Sequence, residues 1–302
     1  TRRSSDLKCF KASSDYIIEL LRDCDILCIT ETWLRPHELR LIESSLQYNG
    51  YTSNSYTVFS KSSMVDTDAE YKGRPFGGIA IICKSFSGYN FYEIDTHCDR
   101  TLTVAMSDKY GKTTQILLNV YMPYFDKSQA EQTDKFIEVV DSLQSFIDTH
   151  GVVCPLKLFG DFNVQLPRSN KLNKLWYKEK GFNKHSCIFF DFLSANNLVS
   201  VDFMYRQSLD YTYFSLNNDT FTWIDHVFTS SYDIDSVHHC KILNLNASNV
   251  SDHLPLYTEL KVKVPINDGL MSTGGIKPYT TSSLRSFLPP NWGNQTRIDN
   301  IS

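Results

Sequence analysis

The apolar residues of this chain come in strand-length runs, and several of those runs end on an acid, an amide or an imidazole. Asp25-Ile26-Leu27-Cys28-Ile29-Thr30 leads straight into Glu31, and the run at 156–159 leads to Asp161 and Asn163. The run at 221–228 carries Asp225 inside it, and Asp252-His253 opens the run at 256–262. None approaches the roughly 20 residues that a bilayer demands, so no membrane span is expected. A carboxylate at the end of a buried strand is costly unless something uses it. Taken singly, each acid reads as well as a cap or a solvated turn, and His253 as a hydrogen-bonded packing residue.

The remaining strand signals lie at 78–84, 101–106, 115–121 and 237–245, β-branched and bounded by turn residues. Ser13-Ser14-Asp15 can cap a helix carrying Ile17, Ile18, Leu20 and Leu21, and two further amphipathic stretches lie at 128–149 and 187–198. Strands that follow one another directly, with occasional helices, predict a mixed α/β sandwich rather than an alternating parallel fold. The chain has 302 residues, 41% of them hydrophobic, which suffices for a substantial core. The polar stretch 60–75 reads as an exposed loop. From Pro265 onward Gly, Ser, Thr, Pro and Asn dominate, which predicts a domain over 1–264 and a polar linker or tail over 265–302.

Thirty basic against thirty-four acidic residues give a net charge of -4, which excludes a binder held to nucleic acid by bulk positive charge. Local contact remains open: the stretch 168–184 interleaves lysines with Trp176, Tyr177 and Phe182, a mixture that suits phosphates and exposed bases as well as it suits a solvated surface. The eight cysteines are scattered without a C-x-x-C pair and read as buried thiols of a reducing compartment. His97-Cys98 and His238-His239-Cys240 lack the ligand spacing of a zinc site. No apolar stretch follows Arg2-Arg3, so no secretory signal is expected, and the N-x-S/T triplets at Asn218, Asn246, Asn249, Asn294 and Asn300 read as chance. The expected place of action is intracellular and, for a DNA substrate, nuclear.

Gathered into one cleft, Glu31, Asp161, Asp225 and Asp252 would repel one another unless a divalent cation or protonation relieved them. An oxygen-rich cluster without thiolates selects a hard ion, Mg²⁺ or Mn²⁺. An Asp beside a His fixes the imidazole tautomer and aims one ring nitrogen at a substrate oxygen. That combination predicts metal-assisted phosphoester chemistry.

Five segments carry a resemblance in order: Ile29-Thr30-Glu31-Thr32-Trp33-Leu34, Asn119-Val120-Tyr121-Met122-Pro123, Phe159-Gly160-Asp161-Phe162-Asn163, Trp223-Ile224-Asp225-His226-Val227 and Ser251-Asp252-His253-Leu254-Pro255. This set resembles the endonuclease/exonuclease/phosphatase superfamily. Within it, the Glu-Thr-Trp-Leu variant is most similar to the apurinic-endonuclease-like domain of LINE-type (non-LTR) retrotransposons. The resemblance implies a four-layer, DNase I-like α/β sandwich of two packed mixed, mainly antiparallel sheets flanked by helices. It implies Glu31 and Asp252 as metal residues and Tyr121 as a phosphate contact. Asp161 would orient or deprotonate the attacking water, Asn163 would stabilise developing charge, and Asp225 and His253 would act as a pair. Thr212, Thr222 and Ser251 fall where such enzymes contact double-stranded DNA, and 213–220 resembles the hairpin that they lay into the minor groove.

The expected activity is a Mg²⁺-dependent endonuclease that nicks one strand to leave a 3′-hydroxyl, with a reverse transcriptase following in the same polyprotein. One departure stands out: the family's first strand carries an Asn before the metal-binding Glu, and no Asn lies among residues 1–30. The first strand is therefore expected to be missing, which would leave neighbouring backbone groups unpaired. A lipid or inositol phosphatase of the same fold and an inactive binding module are the alternatives.

Overall fold

The computed structural model describes residues 9–64, 76–85, 88–151, 154–167, 182–205, 207–215, 220–263 and 281–287, the last by its backbone. Its elements are α1 (Cys9–Asp23), β1 (Ile26–Thr30), α2 (Arg40–Tyr48), β2 (Tyr56–Lys61), β3 (Ile79–Lys84), β4 (Tyr89–Ile94), β5 (Thr101–Asp108) and β6 (Thr113–Tyr121). They continue as α3 (Ala130–His150), β7 (Leu156–Asp161), α4 (Lys184–Ala195), β8 (Leu198–Ser200), β9 (Tyr213–Ser215) and β10 (Thr220–Thr222). The last four are β11 (Asp225–Ser230), β12 (Val237–Ile242), β13 (Leu256–Lys263) and β14 (Thr281–Phe287).

Two six-stranded sheets, β12-β13-β14-β1-β3-β2 and β4-β5-β6-β7-β11-β8, pack face to face, with β9 and β10 as a separate hairpin. All pairings are antiparallel except β1 with β14 and β6 with β7. The parallel pair β6–β7 is joined by α3, the crossover such a pair requires. Alternation along β1 explains the layers. Ile26 and Cys28 enter the core between the sheets with Ile79, Ile81, Leu102, Val104 and Phe159, while Leu27 and Ile29 pack under α1 and α2. On the far side α3 and α4 cover Leu118, Val120, Leu158 and Phe228 with Phe136, Val139, Leu143 and Phe189. This is the four-layer α/β sandwich. A strand buried on both faces reads as an unbroken apolar run, which is why β1 and β3 stand out in the sequence.

Several boundaries differ from expectation. Helix α1 starts at Cys9 rather than at the Ser13-Asp15 cap, with Ser13 fully buried inside it. Helix α4 starts at Lys184, because the Asn183 side chain accepts from the Ser186 N–H at 3.0 Å. The run at 221–228 is two strands, broken at Trp223-Ile224. Strand β2 extends to Lys61 into the expected loop, the rest of which (65–75) lies outside the described residues. Residues 281–287, expected in a polar tail, form β14 between β13 and β1. The rest of that expected tail, 265–280 and 288–302, is outside the described residues, as is most of the basic stretch (168–181). Among the described residues no helix is long and apolar enough to cross a membrane.

The buried His185 ring stacks on Phe136 at 4.0 Å, with Phe125 edge-on at 5.0 Å and Thr133 Oγ1 at 3.2 Å from Nε2. Burial is the largest cause of a pKa lowered to about 4, so the folded ring resists the proton that an unfolded one takes near 6.5. The unfolded chain binds more protons in that window. Stability from this site is therefore complete above pH 6.5 and falls as the pH drops toward 4, by up to about 1.4 kcal/mol per pH unit. Urea unfolding at pH 7 and 4.5 should show a smaller acid loss in His185→Leu than in the parent, and equal losses would overturn the assignment.

Candidate active site

The acids that end strands in the sequence meet at one end of the sandwich. Register does most of this: Tyr121 on β6 lies opposite Asp161 on β7, and Asp161 opposite Asp225 on β11. Glu31, at the end of β1 in the other sheet, accepts a hydrogen bond from the Tyr121 hydroxyl and so bridges the sheets. Below it the buried Asn119 ties them again, its Nδ2 donating to the Ile29 carbonyl at 2.8 Å and the Ala80 carbonyl at 3.1 Å. Glu31 and Asn163 both take left-handed backbone, with φ of 53° and 51°. For Asn163 this is a cheap conformation; for Glu31 it is strain held by the surrounding ladder.

His253 lies just before β13, and its Nδ1 donates to Asp225 Oδ2 at 2.8 Å, with both side chains buried. Since the carboxylate accepts, the proton sits on Nδ1, and Nε2 is buried with no hydrogen-bond partner among the described residues. Asp252 Oδ1 is in the same condition. Donor atoms of Asp161, Asp225 and His253 lie within 4.8 Å of one another, the one such group among the described residues. Neither histidine–cysteine segment joins a cluster: exposed His97 pairs with Asp95, and Cys240 is buried against Thr258.

The crowding shows in the titration of each group. Burial first, then Asp225 and Glu31, hold the Asp161 carboxyl well above the usual range. Asp252 rises to about 6, mainly through burial. Burial would push His253 down, but Asp225, Asp161 and Asp252 outweigh it and lift the ring to about 10. Burial and then Glu31 raise the Tyr121 phenol, which stays a donor. A cation relieves this kind of repulsion, and a donor set of carboxylate oxygens with no thiolate fits a hard divalent ion. The buried, unpartnered Asp252 Oδ1 is the atom that most calls for one.

Other expected residues sit differently. Thr212 is fully buried; its hydroxyl accepts from the backbone N–H of Ile224 at 3.1 Å and of Asp225 at 3.0 Å. Ser251 is buried and accepts from the His253 N–H at 2.9 Å. Both hydroxyls accept from backbone N–H groups of the site, and both side chains are buried. Thr222 is half-exposed on β10, and the hairpin tip 216–219 lies outside the described residues. Asn163 donates to the Met122 carbonyl at 2.8 Å and to Asp161 Oδ2 at 3.2 Å, while its N–H meets Asp161 Oδ1 at 2.9 Å.

Sequence reasoning missed three supports. Asn249, read as a chance glycosylation triplet, is buried and donates to the His253 carbonyl at 2.9 Å. Arg100 holds its guanidinium 5.1 Å from the Tyr121 ring centre and accepts from the Tyr121 N–H at 2.9 Å through its carbonyl. Asn119 stood in a quoted segment, but no local signal marks an amide that reaches across two sheets.

Solved structures share this fold at low identity. A 3′ phosphatase, NExo, from Neisseria, bound to a product DNA hairpin, is 17% identical with a TM-score of 0.61, covering 84% of this chain and 96% of that one. A 3′-5′ exonuclease from Neisseria meningitidis is 16% identical, TM-score 0.59, covering 83% and 95%. An AP endonuclease from Archaeoglobus fulgidus is 16% identical, TM-score 0.58, with the same coverage. No curated protein matches the chain. A family model, described as the Endonuclease/Exonuclease/phosphatase family, matches residues 3–253, which span every side chain of the cluster. With that match over most of its length, the chain belongs to the endonuclease/exonuclease/phosphatase family.

Proposed function

We propose that this chain is a Mg²⁺-dependent DNA endonuclease that nicks one strand to leave a 3′-hydroxyl and a 5′-phosphate, and that it serves target-primed reverse transcription in a LINE-type polyprotein. The observation that carries the hydrolytic reading is the buried Asp225–His253 pair, with His253 Nε2 unpartnered beside Asp161. The DNA substrate draws support from two structures of NExo, described as a 3′ phosphatase and as a 3′-5′ exonuclease, and one of an AP endonuclease. The retrotransposon setting, with a reverse transcriptase downstream and action in the nucleus, draws on the Glu31-Thr32-Trp33-Leu34 segment.

Bound near Glu31 and Asp252, a divalent ion would supply Lewis-acid stabilisation of the phosphoryl oxygens. The chain's own groups do the rest. Asp161, whose raised pKa suits a proton acceptor, takes a proton from the attacking water. The water oxygen bonds to phosphorus as the bond to O3′ breaks, and O3′ leaves as an alkoxide that takes its proton from bulk water. His253, held charged by Asp225, donates from Nε2 to a nonbridging oxygen, and the Tyr121 hydroxyl and one Asn163 N–H, which donate to Glu31 and Asp161 without substrate, turn to the phosphate where charge develops.

Supercoiled plasmid should relax to nicked circle with Mg²⁺ but not with chelator, and the new ends should prime a DNA polymerase directly. Glu31→Ala should slow this by about 100-fold or more, a loss of about 2.7 kcal/mol in the transition state. Nicking that survives the chelator, or Glu31→Ala at parental rate, would sink the reading. Release of inorganic phosphate from an inositol phosphate, without nicking, would move it to the phosphatase.

A further inference from the structure

Consecutive residues of β11 carry two Asp–His pairs on opposite faces of the sheet. Asp225 faces the core between the sheets and holds His253; His226 faces α4 and meets Asp202. We propose that the Asp202–His226 pair is a positioning device for the reaction: it locks β11 to the loop after β7 and so fixes Asp225 against Asp161. The proposal rests on the endonuclease reading for the reaction that it serves.

The hydrogen bonds are fully committed. Asp202 accepts from Ser200 Oγ at 2.9 Å and the Val227 N–H at 3.1 Å on one oxygen, and from Trp223 Nε1 at 2.8 Å and His226 Nδ1 at 2.9 Å on the other. His226 Nε2 lies 3.1 Å from the Val164 carbonyl, which can only accept. Both ring nitrogens therefore face acceptors, and the ring and the carboxylate are each 0% exposed. Val164 is one residue beyond Asn163 and three beyond Asp161. With the Phe162 N–H donating to the Ile224 carbonyl at 3.0 Å, the bond to Val164 stitches the Asp161–Asn163 segment to β11 on both sides of Asp225.

Stability alone does not account for this pair. The ring of His226 lies among Phe162, Phe203 and Phe228, a cage that a phenyl group would fill, and apolar replacements of buried ion pairs are often neutral or stabilising. What an apolar ring loses is the directional tie to Val164.

The test is the double variant Asp202→Asn/His226→Phe, which removes the hydrogen-bonded pair and leaves no buried carboxylate alone. Per folded molecule, kcat for plasmid nicking should fall by about 10- to 100-fold, with KM changed by less than about twofold. A kcat within about twofold of the parent, in a variant that melts cooperatively, would overturn the proposal. Should the double variant not fold, Asp202→Asn alone decides by the same two numbers. A parent chain that fails to nick overturns the endonuclease reading instead. The low-field proton resonance of His253 Nδ1, donated to Asp225, then decides: displaced or broadened in the variant if the pair positions β11, unchanged if it does not.

Discussion

Asp225→Asn should leave the fold intact and lower single-turnover plasmid nicking by about 10³- to 10⁴-fold, the scale seen when the acid behind a catalytic imidazole loses its charge. The fold survives because Asn is isosteric and the backbone of Asp225 is held independently, by Thr212 Oγ1 at 3.0 Å and by pairing with β7. The chemistry suffers twice. Asp225 is the first of the carboxylates that raise His253, so its loss lets burial push the imidazole back toward neutrality. An amide that presents its carbonyl to Nδ1 also keeps the one remaining proton there and leaves Nε2 bare, the wrong tautomer for a donor. The alkaline limb of the pH–rate profile should accordingly shift to lower pH. Circular dichroism and melting compared with the parent check the fold. A nicking rate within tenfold of the parent, in folded protein, would dissolve the assigned pairing of Asp225 with His253.

This argument was open from the sequence only in part. Glu31, Asp161 and the Asp252-His253 step were visible because each breaks an apolar run at its end, and β1, β3 and β7 were visible because strands buried on both faces do not alternate. Strand β4 was missed: its burial alternates only over Tyr89–Tyr92 and then lapses at Glu93, and at a sheet edge polar residues dilute the signal. Strand β14 reads Thr-Ser-Ser-Leu-Arg-Ser-Phe and gains its place from β13 and β1, not from its own propensity. The hydroxyls of Thr212 and Ser251 illustrate a different limit. Composition shows that a hydroxyl is present, but whether it turns toward a ligand or back onto a nearby N–H is decided by turns whose geometry is tertiary. Asp202 is a strand-end acid like the others, and only the pairing of β11 with β8 shows that it serves His226 rather than the cleft.

Gly160→Ala should cost more than a methyl added at Gly50, Gly77, Gly78, Gly111 or Gly151, because what it meets most closely is backbone. Gly160 sits in β7 at φ +152°, opposite Val120 of the parallel strand β6, and an added Cβ would fall on the Val120 carbonyl oxygen, carbon and nitrogen. A side chain in the way can rotate; a ladder between two buried strands cannot give without parting. The glycine thus belongs to the Gly-Asp-Phe-Asn segment for a packing reason, and the next residue on each strand is a site residue, Tyr121 and Asp161. A loss of about 4 kcal/mol or more is expected, set against a total stability of about 5–15 kcal/mol for a domain. The variant should therefore be largely insoluble or melt far below the parent. Gly111→Ala is the matched control: its φ is +79° but nothing lies within 4 Å of the added methyl, so only the left-handed backbone penalty of about 1 kcal/mol applies. Equal melting temperatures for the two variants would show that β6 and β7 can separate at Val120, and would remove close strand approach as the reason a glycine precedes Asp161.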